Sequence, residues 1–256
     1  TPRFFLWGDS QAEALAPGAD ARAGERGLRG LLATKAACPP LLGIERPDRR
    51  TSCHRFTRRV LGLIEAADGI DTVVLAARWA LYTTGARDKG ESGEPVQLQA
   101  VGATAGTDLD NVAIMRAGLR RTLAELTRLG VRVVLVSPVP EIGYNVPASF
   151  FVAQASGREV DAIIAPTRDE YLQRTARVSA LFAAAGDEFP VTVISPQSLT
   201  CGPVRCRVVA RGRPLYRDDD HLSIFGSNYV AGAFDSIFAE LAAAPGNTGL
   251  SPAPSR

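Results

Sequence analysis

Short, nearly unbroken apolar runs recur along this chain at Phe4–Trp7, Val73–Leu75, Val131–Val136 and Val191–Ile194. Strands that read apolar on both faces belong inside a covered parallel sheet rather than on a half-solvated one. Between them lie stretches with helical apolar spacing, so the pattern predicts a parallel, doubly wound sheet between two layers of helices: an α/β fold with three α/β/α layers. A further strand is expected over Leu28–Ala36, and helices over 11–25, 51–67, Asp108–Leu129, 167–185 and 223–243. Pro17-Gly18 interrupts the first helix early and is the natural candidate for its true start. Residues 85–107 read as a surface excursion or hairpin, with an alternating patch at Val96–Val101. Pro138–Gly143 reads as an irregular loop, and Arg205–Tyr216 as a small hairpin around Gly212. Nothing resembling a linker breaks the pattern before residue 244, so 1–243 is expected to be one domain and 244–256 a disordered tail or linker.

In such sheets sites form at the carboxyl ends of the strands. The first strand ends in Gly8-Asp9-Ser10 and runs directly into helix formers. Glycine permits the sharp turn, and a hydroxyl at a helix start sits beside backbone N–H groups with no intrahelical partner, where an oxyanion can rest. Ser10 is therefore a candidate nucleophile, with helix capping by Asp9 or Ser10 as the plainer alternative. A serine nucleophile needs a base and an orienting carboxylate. One of the two histidines of the chain stands in Tyr216-Arg217-Asp218-Asp219-Asp220-His221-Leu222-Ser223, with Asp218 three residues before His221. The plainer reading of that stretch is an acidic turn with Ser223 or Asp220 as N-cap of the last helix.

Composition narrows the partners. Of 256 residues 22% are charged, with a net charge of +2, and the acids are interspersed with the arginines, which argues against a nucleic-acid surface. The densest basic patch, Arg49, Arg50, Arg55, Arg58 and Arg59, reads as a solvated helix face, with an anionic glycan or lipid headgroups as the alternative partners. No uncharged run reaches the roughly 18 residues of a membrane span. The cysteines fall as local pairs, Cys38 with Cys53 and Cys201 with Cys206. Of three possible pairings the local one is expected, and it implies an oxidising compartment. Without a CxxC, and with His54 the only imidazole nearby, no metal site is expected, and no cofactor.

The blocks Leu6-Trp7-Gly8-Asp9-Ser10, Cys38-Pro39-Pro40, Val74-Leu75-Ala76-Ala77-Arg78-Trp79, Pro138-Val139-Pro140-Glu141 and Asp218-Asp219-Asp220-His221-Leu222-Ser223 together resemble the SGNH (GDSL-like) hydrolase family. They are most similar to the SGNH domains fused behind membrane acyltransferases that O-acetylate bacterial surface glycans. That resemblance implies the flavodoxin-like SGNH fold, with Ser10 as acyl-accepting nucleophile, His221 as base and then acid, and Asp218 fixing the imidazole. It also implies an acyl donor supplied by a membrane domain upstream in the same polypeptide, a glycan acceptor, and a monomeric domain on the periplasmic or extracellular face, tethered to the inner membrane. The start at Thr1, almost on the first strand, fits a piece of a longer polypeptide.

The chain departs from the family pattern where a Gly-x-Asn-Asp block normally supplies an oxyanion donor. Ala76-Ala77-Arg78-Trp79 stands there instead. Arg78 either supplies a charged donor or pairs with an acid such as Glu141, and Trp79 borders the same position. The amides of Ala37 and Cys38, then Gly43, are the candidates to join the Ser10 amide. Gln11 stands where close relatives often carry His, and His54 reads as structural. Two other readings remain open: a free-standing secreted carbohydrate esterase, and a catalytically silent glycan-binding module.

Overall fold

The computed structural model describes residues 1–48, 52–103 and 110–244. In chain order the first half comprises β1 (Phe4–Gly8), α1 (Ser10–Gly24), β2 (Gly30–Thr34), β3 (Ile44–Glu45), α2 (Cys53–Ala66), β4 (Thr72–Ala76), α3 (Trp79–Thr84), β5 (Gln99–Ala100) and α4 (Asn111–Arg128). The second half comprises β6 (Arg132–Val136), α5 (Val146–Ala155), α6 (Val160–Ile164), α7 (Arg168–Glu188), β7 (Val191–Ile194), β8 (Val209–Ala210), β9 (Arg213–Pro214), α8 (Ile224–Val230) and α9 (Asp235–Ala243).

The central sheet has the order β2-β1-β4-β6-β7 and is parallel throughout. Successive side chains on a strand point to opposite faces, and here each face has its own core. Phe4, Leu6, Val74, Val134 and Val136 pack with α1, α5, α6, α8 and α9. Phe5, Trp7, Val73, Leu75, Val133 and Leu135 pack with α2, α3, α4 and α7. This is the expected three-layer α/β/α sandwich; the apolar runs of β1, β4 and β6 are its doubly covered inner strands, and the Val191–Ile194 run is the partly exposed edge strand β7.

Pro17-Gly18 does not set the start of α1, which begins at Ser10 and runs through both residues. The interruption is repaired from the far end of the chain. The Ser227 hydroxyl of α8 donates to the Leu15 carbonyl at 3.0 Å and accepts from the Gly18 amide at 2.8 Å. The hydroxyl thus engages two backbone groups beside Pro17, where a proline disturbs the helical ladder. Gly18 is needed for the approach, because a Cβ there would lie 2.2 Å from the Ser227 carbonyl oxygen.

Among its described residues, 85–103, the 85–107 stretch forms no hairpin of its own. Within its described part β5 pairs antiparallel with β3, and Val96 and Leu98 are buried. The closing segment is two helices separated by a tight turn at Ala231–Phe234 rather than one helix. For 144–166, where α5 and α6 form, the sequence pattern predicts no element. The expected tail from residue 245 onward lies outside the described residues, as do Arg49 and Arg50 of the basic patch; Arg55, Arg58 and Arg59 are exposed on α2.

Both local disulfides, Cys38–Cys53 and Cys201–Cys206, are present. The first ties the loop after β2 to the start of α2 across 15 residues. By loop entropy the Cys38→Ser/Cys53→Ser double variant should lose about 3 kcal/mol, read as a lower urea midpoint under oxidising conditions. An unchanged midpoint would mean the loop is held by its packing alone.

Candidate active site

Ser10 follows the carboxyl end of β1, with Gly8 and Asp9 between sheet and helix. Asp9, not Ser10, is the N-cap of α1: its Oδ1 accepts from the Gln11 amide at 2.8 Å. Its Oδ2 accepts from the Arg78 amide at 3.1 Å and the Tyr82 hydroxyl at 2.7 Å. Burial pushes the Asp9 carboxyl up, and these three hydrogen bonds oppose the shift. With capping assigned to Asp9, the Ser10 hydroxyl is left for another partner. That partner is His221, whose Nε2 lies 2.7 Å from Ser10 Oγ.

The loop that carries His221 is fixed locally and from outside. Asp218 Oδ1 accepts from the amides of Asp220 at 3.0 Å and His221 at 2.7 Å, a side-chain turn that short acidic residues form readily. The Asp218 and Asp219 carbonyls accept from the amides of Val146 and Ile142, which pins the loop to the segment after β6. Ser223 caps α8 by accepting from the Gly226 amide, so Asp220 is not the cap. His221 Nδ1 then meets Asp218 Oδ2 at 2.9 Å and Asp220 Oδ1 at 2.8 Å. Burial lowers the imidazole pKa, but the two carboxylates outweigh it and push His221 up to about 10. Burial raises Asp218 in turn, and its bonds with His221 reverse this and hold it well below the usual carboxylate range.

The remaining expected site residues divide. Ser10, as the first helical residue, presents an N–H with no intrahelical partner. Ala37 has left-handed backbone, φ 61°, which costs a non-glycine residue roughly 1–2 kcal/mol. The Cys38 amide is already engaged with the Lys35 carbonyl at 3.1 Å. Gly43 turns toward α4, where its carbonyl accepts from Arg121 and Val101. Of the two readings for Arg78, pairing prevails: its Nε lies 2.7 Å from Glu141 Oε1 and 3.0 Å from Asp220 Oδ2, and its Nη2 contacts Glu91. Glu141 is buried between Arg78 and Arg174, a counter-ion rather than a site surface. Burial raises its carboxyl while the two guanidinium groups oppose the rise. Trp79 is fully buried, edge-on to Phe182, with its indole N–H on the Val136 carbonyl at 3.0 Å. It belongs to the core and does not border the site.

Asp220, read from the sequence only as a cap candidate, and Gln11, read as standing where relatives often carry His, join the hydrogen bonds around His221. Gln11 Nε2 donates to the Asp220 carbonyl at 3.1 Å and to Asp220 Oδ2 at 3.0 Å. Three consecutive aspartates offer no signal of which one turns inward. Among the described residues, Asp218, Asp220 and His221 are the group whose ligand atoms lie close enough to hold a metal ion, but these atoms already bond one another. A polar cleft of about 460 Å³ adjoins the loop, lined in part by Arg78, Glu91, Tyr144, Asn145 and Asp219. A larger apolar cavity of about 1040 Å³ lies between α1, β2 and α8 and does not include Ser10 or His221 in its lining.

A doubly wound parallel sheet with a serine at the first strand-to-helix joint and a histidine supplied by the last loop defines an SGNH-type α/β protein. The chain belongs to the family described as SGNH domain (fused to AT3 domains), which matches residues 1–236. Among solved structures it is similar to the lipopolysaccharide acetyltransferase periplasmic domain of Salmonella ser. Paratyphi A, at 17% identity and TM-score 0.66, covering 93% of this chain and 83% of that one. It is also similar to a carbohydrate acetylesterase family member from Sinorhizobium meliloti, at 12% identity and TM-score 0.52, over 94% and 99% of the two chains. No curated protein matches the chain.

Proposed function

We propose that this chain is an extracytoplasmic acyl-transfer domain that moves an acetyl group to a glycan hydroxyl through Ser10, His221 and Asp218. The observation that supports this reading is the hydrogen-bonded series from Ser10 Oγ through His221 to Asp218 Oδ2, with links of 2.7 and 2.9 Å. His221 Nε2 accepts the Ser10 proton as Oγ attacks the acyl carbonyl of the donor. The tetrahedral oxyanion rests on the Ser10 amide and its neighbours at the positive end of α1. As the oxyanion collapses, His221 returns the proton to the departing group and acyl-Ser10 remains. A glycan hydroxyl then gives its proton to His221 and attacks the acyl carbonyl; the ester to Ser10 breaks and Oγ takes the proton back. The donor arrives through the membrane acyltransferase domain to which members of this family are fused. Two disulfides and the periplasmic relative favour an extracytoplasmic location. Among the described residues no helix is long and apolar enough to cross a membrane.

A second reading, with water as acceptor, draws on the likeness to carbohydrate acetylesterases. Rapid quenching with an activated acetyl ester followed by peptide mapping tests the shared step: an acetyl group on the peptide that carries Ser10 is expected. Adding a glycan acceptor then separates the two readings. Acetyl-glycan as the main product supports transfer, and free acetate at an undiminished rate supports the esterase. No adduct, together with no turnover, would favour the binding module.

A further inference from the structure

We propose that Asp220 is a second positioning carboxylate for His221, fixed by Arg78 and Gln11, and that Arg78 acts through Asp220 rather than donating to the oxyanion. The proposal rests on the Ser10–His221 reading above. It starts from one nitrogen with two acids: His221 Nδ1 lies 2.9 Å from Asp218 Oδ2 and 2.8 Å from Asp220 Oδ1. The two acids differ in surroundings. The Asp218 side chain is 34% exposed and that of Asp220 only 4%, so solvent screens the first far more than the second.

A buried carboxylate is costly unless paired and hydrogen-bonded. Asp220 Oδ2 has both kinds of partner, Arg78 Nε at 3.0 Å and Gln11 Nε2 at 3.0 Å. Gln11 also holds the Asp220 carbonyl, so one amide grips the residue at side chain and backbone. Arg78 cannot swing toward Ser10 without leaving Glu141 and Glu91, and Glu141 is itself tied to Arg174. The arginine that replaces the family's oxyanion asparagine is thus committed to three acids.

The charges that face the Asp220–His221 pair come from several elements. Asp219 and Arg217 belong to the same loop, Asp9 to the start of α1, Arg78 to the end of β4, Glu91 to the excursion and Glu141 to the loop after β6. Only Asp218 and Asp220 contact the ring nitrogen within this set. Two consequences follow. The ring is clamped with Nε2 toward Ser10, and the imidazolium formed when Ser10 gives up its proton has two counter-ions at Nδ1.

With only two histidines in the chain, an imidazole NMR titration of the whole chain in a His54→Gln background reads His221 directly. In Asp220→Asn the His221 midpoint should fall by about one unit, a tenfold change in its protonation equilibrium. The rising limb of kcat/KM against pH for an activated ester should move to lower pH with it, while the plateau rate falls. Asp219→Asn removes a neighbouring charge that does not touch the ring, and should move the midpoint much less. An unmoved midpoint in folded Asp220→Asn, or an equal shift in Asp219→Asn, would overturn the proposal. Should Asp220→Asn not fold, the same titration in Gln11→Ala, which frees the Asp220 carboxylate without removing charge, decides: a lower midpoint supports the proposal and an unchanged one overturns it. Full turnover in Ser10→Ala would sink the acyl-serine reading separately, since the titration needs no turnover.

Discussion

Ser10→Ala should lower kcat/KM for an activated acetyl ester by about 10³-fold or more, and His221→Ala by a similar factor. The double variant should be little worse than either single one, because nucleophile and base act as a unit and their losses do not add. What remains would come from binding and from the amides at the start of α1. The pH dependence of the native protein follows from the direction of the His221 shift. Its folded pKa is raised, to about 10, and only the neutral ring can accept the Ser10 proton. Activity therefore falls as pH drops and the ring becomes imidazolium, with a rising limb well above 6.5. Unchanged turnover in all the single variants, measured on folded protein, would remove Ser10 and His221 from the mechanism. A limb near 6.5 would mean that the two carboxylates do not face the ring in solution as they do here.

The parts of this site legible in the sequence are those set by local pattern. Strands buried on both faces read as unbroken apolar runs, which is why β1, β4 and β6 could be anticipated; β7 reads the same way although it is the edge strand and its Val193 is exposed. Gly8-Asp9-Ser10 announces a turn into a helix, and the pairing of Ser10 with His221 follows once both are placed at one end of a parallel sheet. What the sequence could not show depends on partners far along the chain. Pro17 looks like a helix start until Ser227 appears beside Leu15 and Gly18. Trp79 looks like a site residue because it follows Arg78, yet the short helix it opens turns it onto Val136 and Phe182. Asp218 and Asp220 are equivalent in composition, and only Gln11 and Arg78, from two other elements, distinguish the buried one.

Gly8→Ala should damage both stability and activity. Gly8 pairs with Ala76 in the β1–β4 register, and a Cβ at Gly8 would lie 1.8 Å from the Ala76 carbonyl oxygen and 2.6 Å from Ala12 Cβ. Neither neighbour can yield cheaply. The chain just after Ala76 is tied back to the helix start through the Arg78 amide on Asp9, and Ala12 is fully buried between α1 and the sheet. Overpacking against flexible side chains costs about 1–3 kcal/mol; against backbone on one side and a core methyl on the other, a loss of roughly 3 kcal/mol or more is expected, read from urea unfolding. The strain would have to be relieved by parting the strand ends or by shifting the start of α1, and Ser10 is the first residue of that helix. A displacement of about 1 Å at a reacting group costs on the order of 10²-fold in rate, so the folded fraction of Gly8→Ala should be impaired in kcat more than in KM. Wild-type stability together with wild-type kcat would show that the joint between β1 and α1 is looser than its contacts imply, and that Ser10 is positioned by His221 alone.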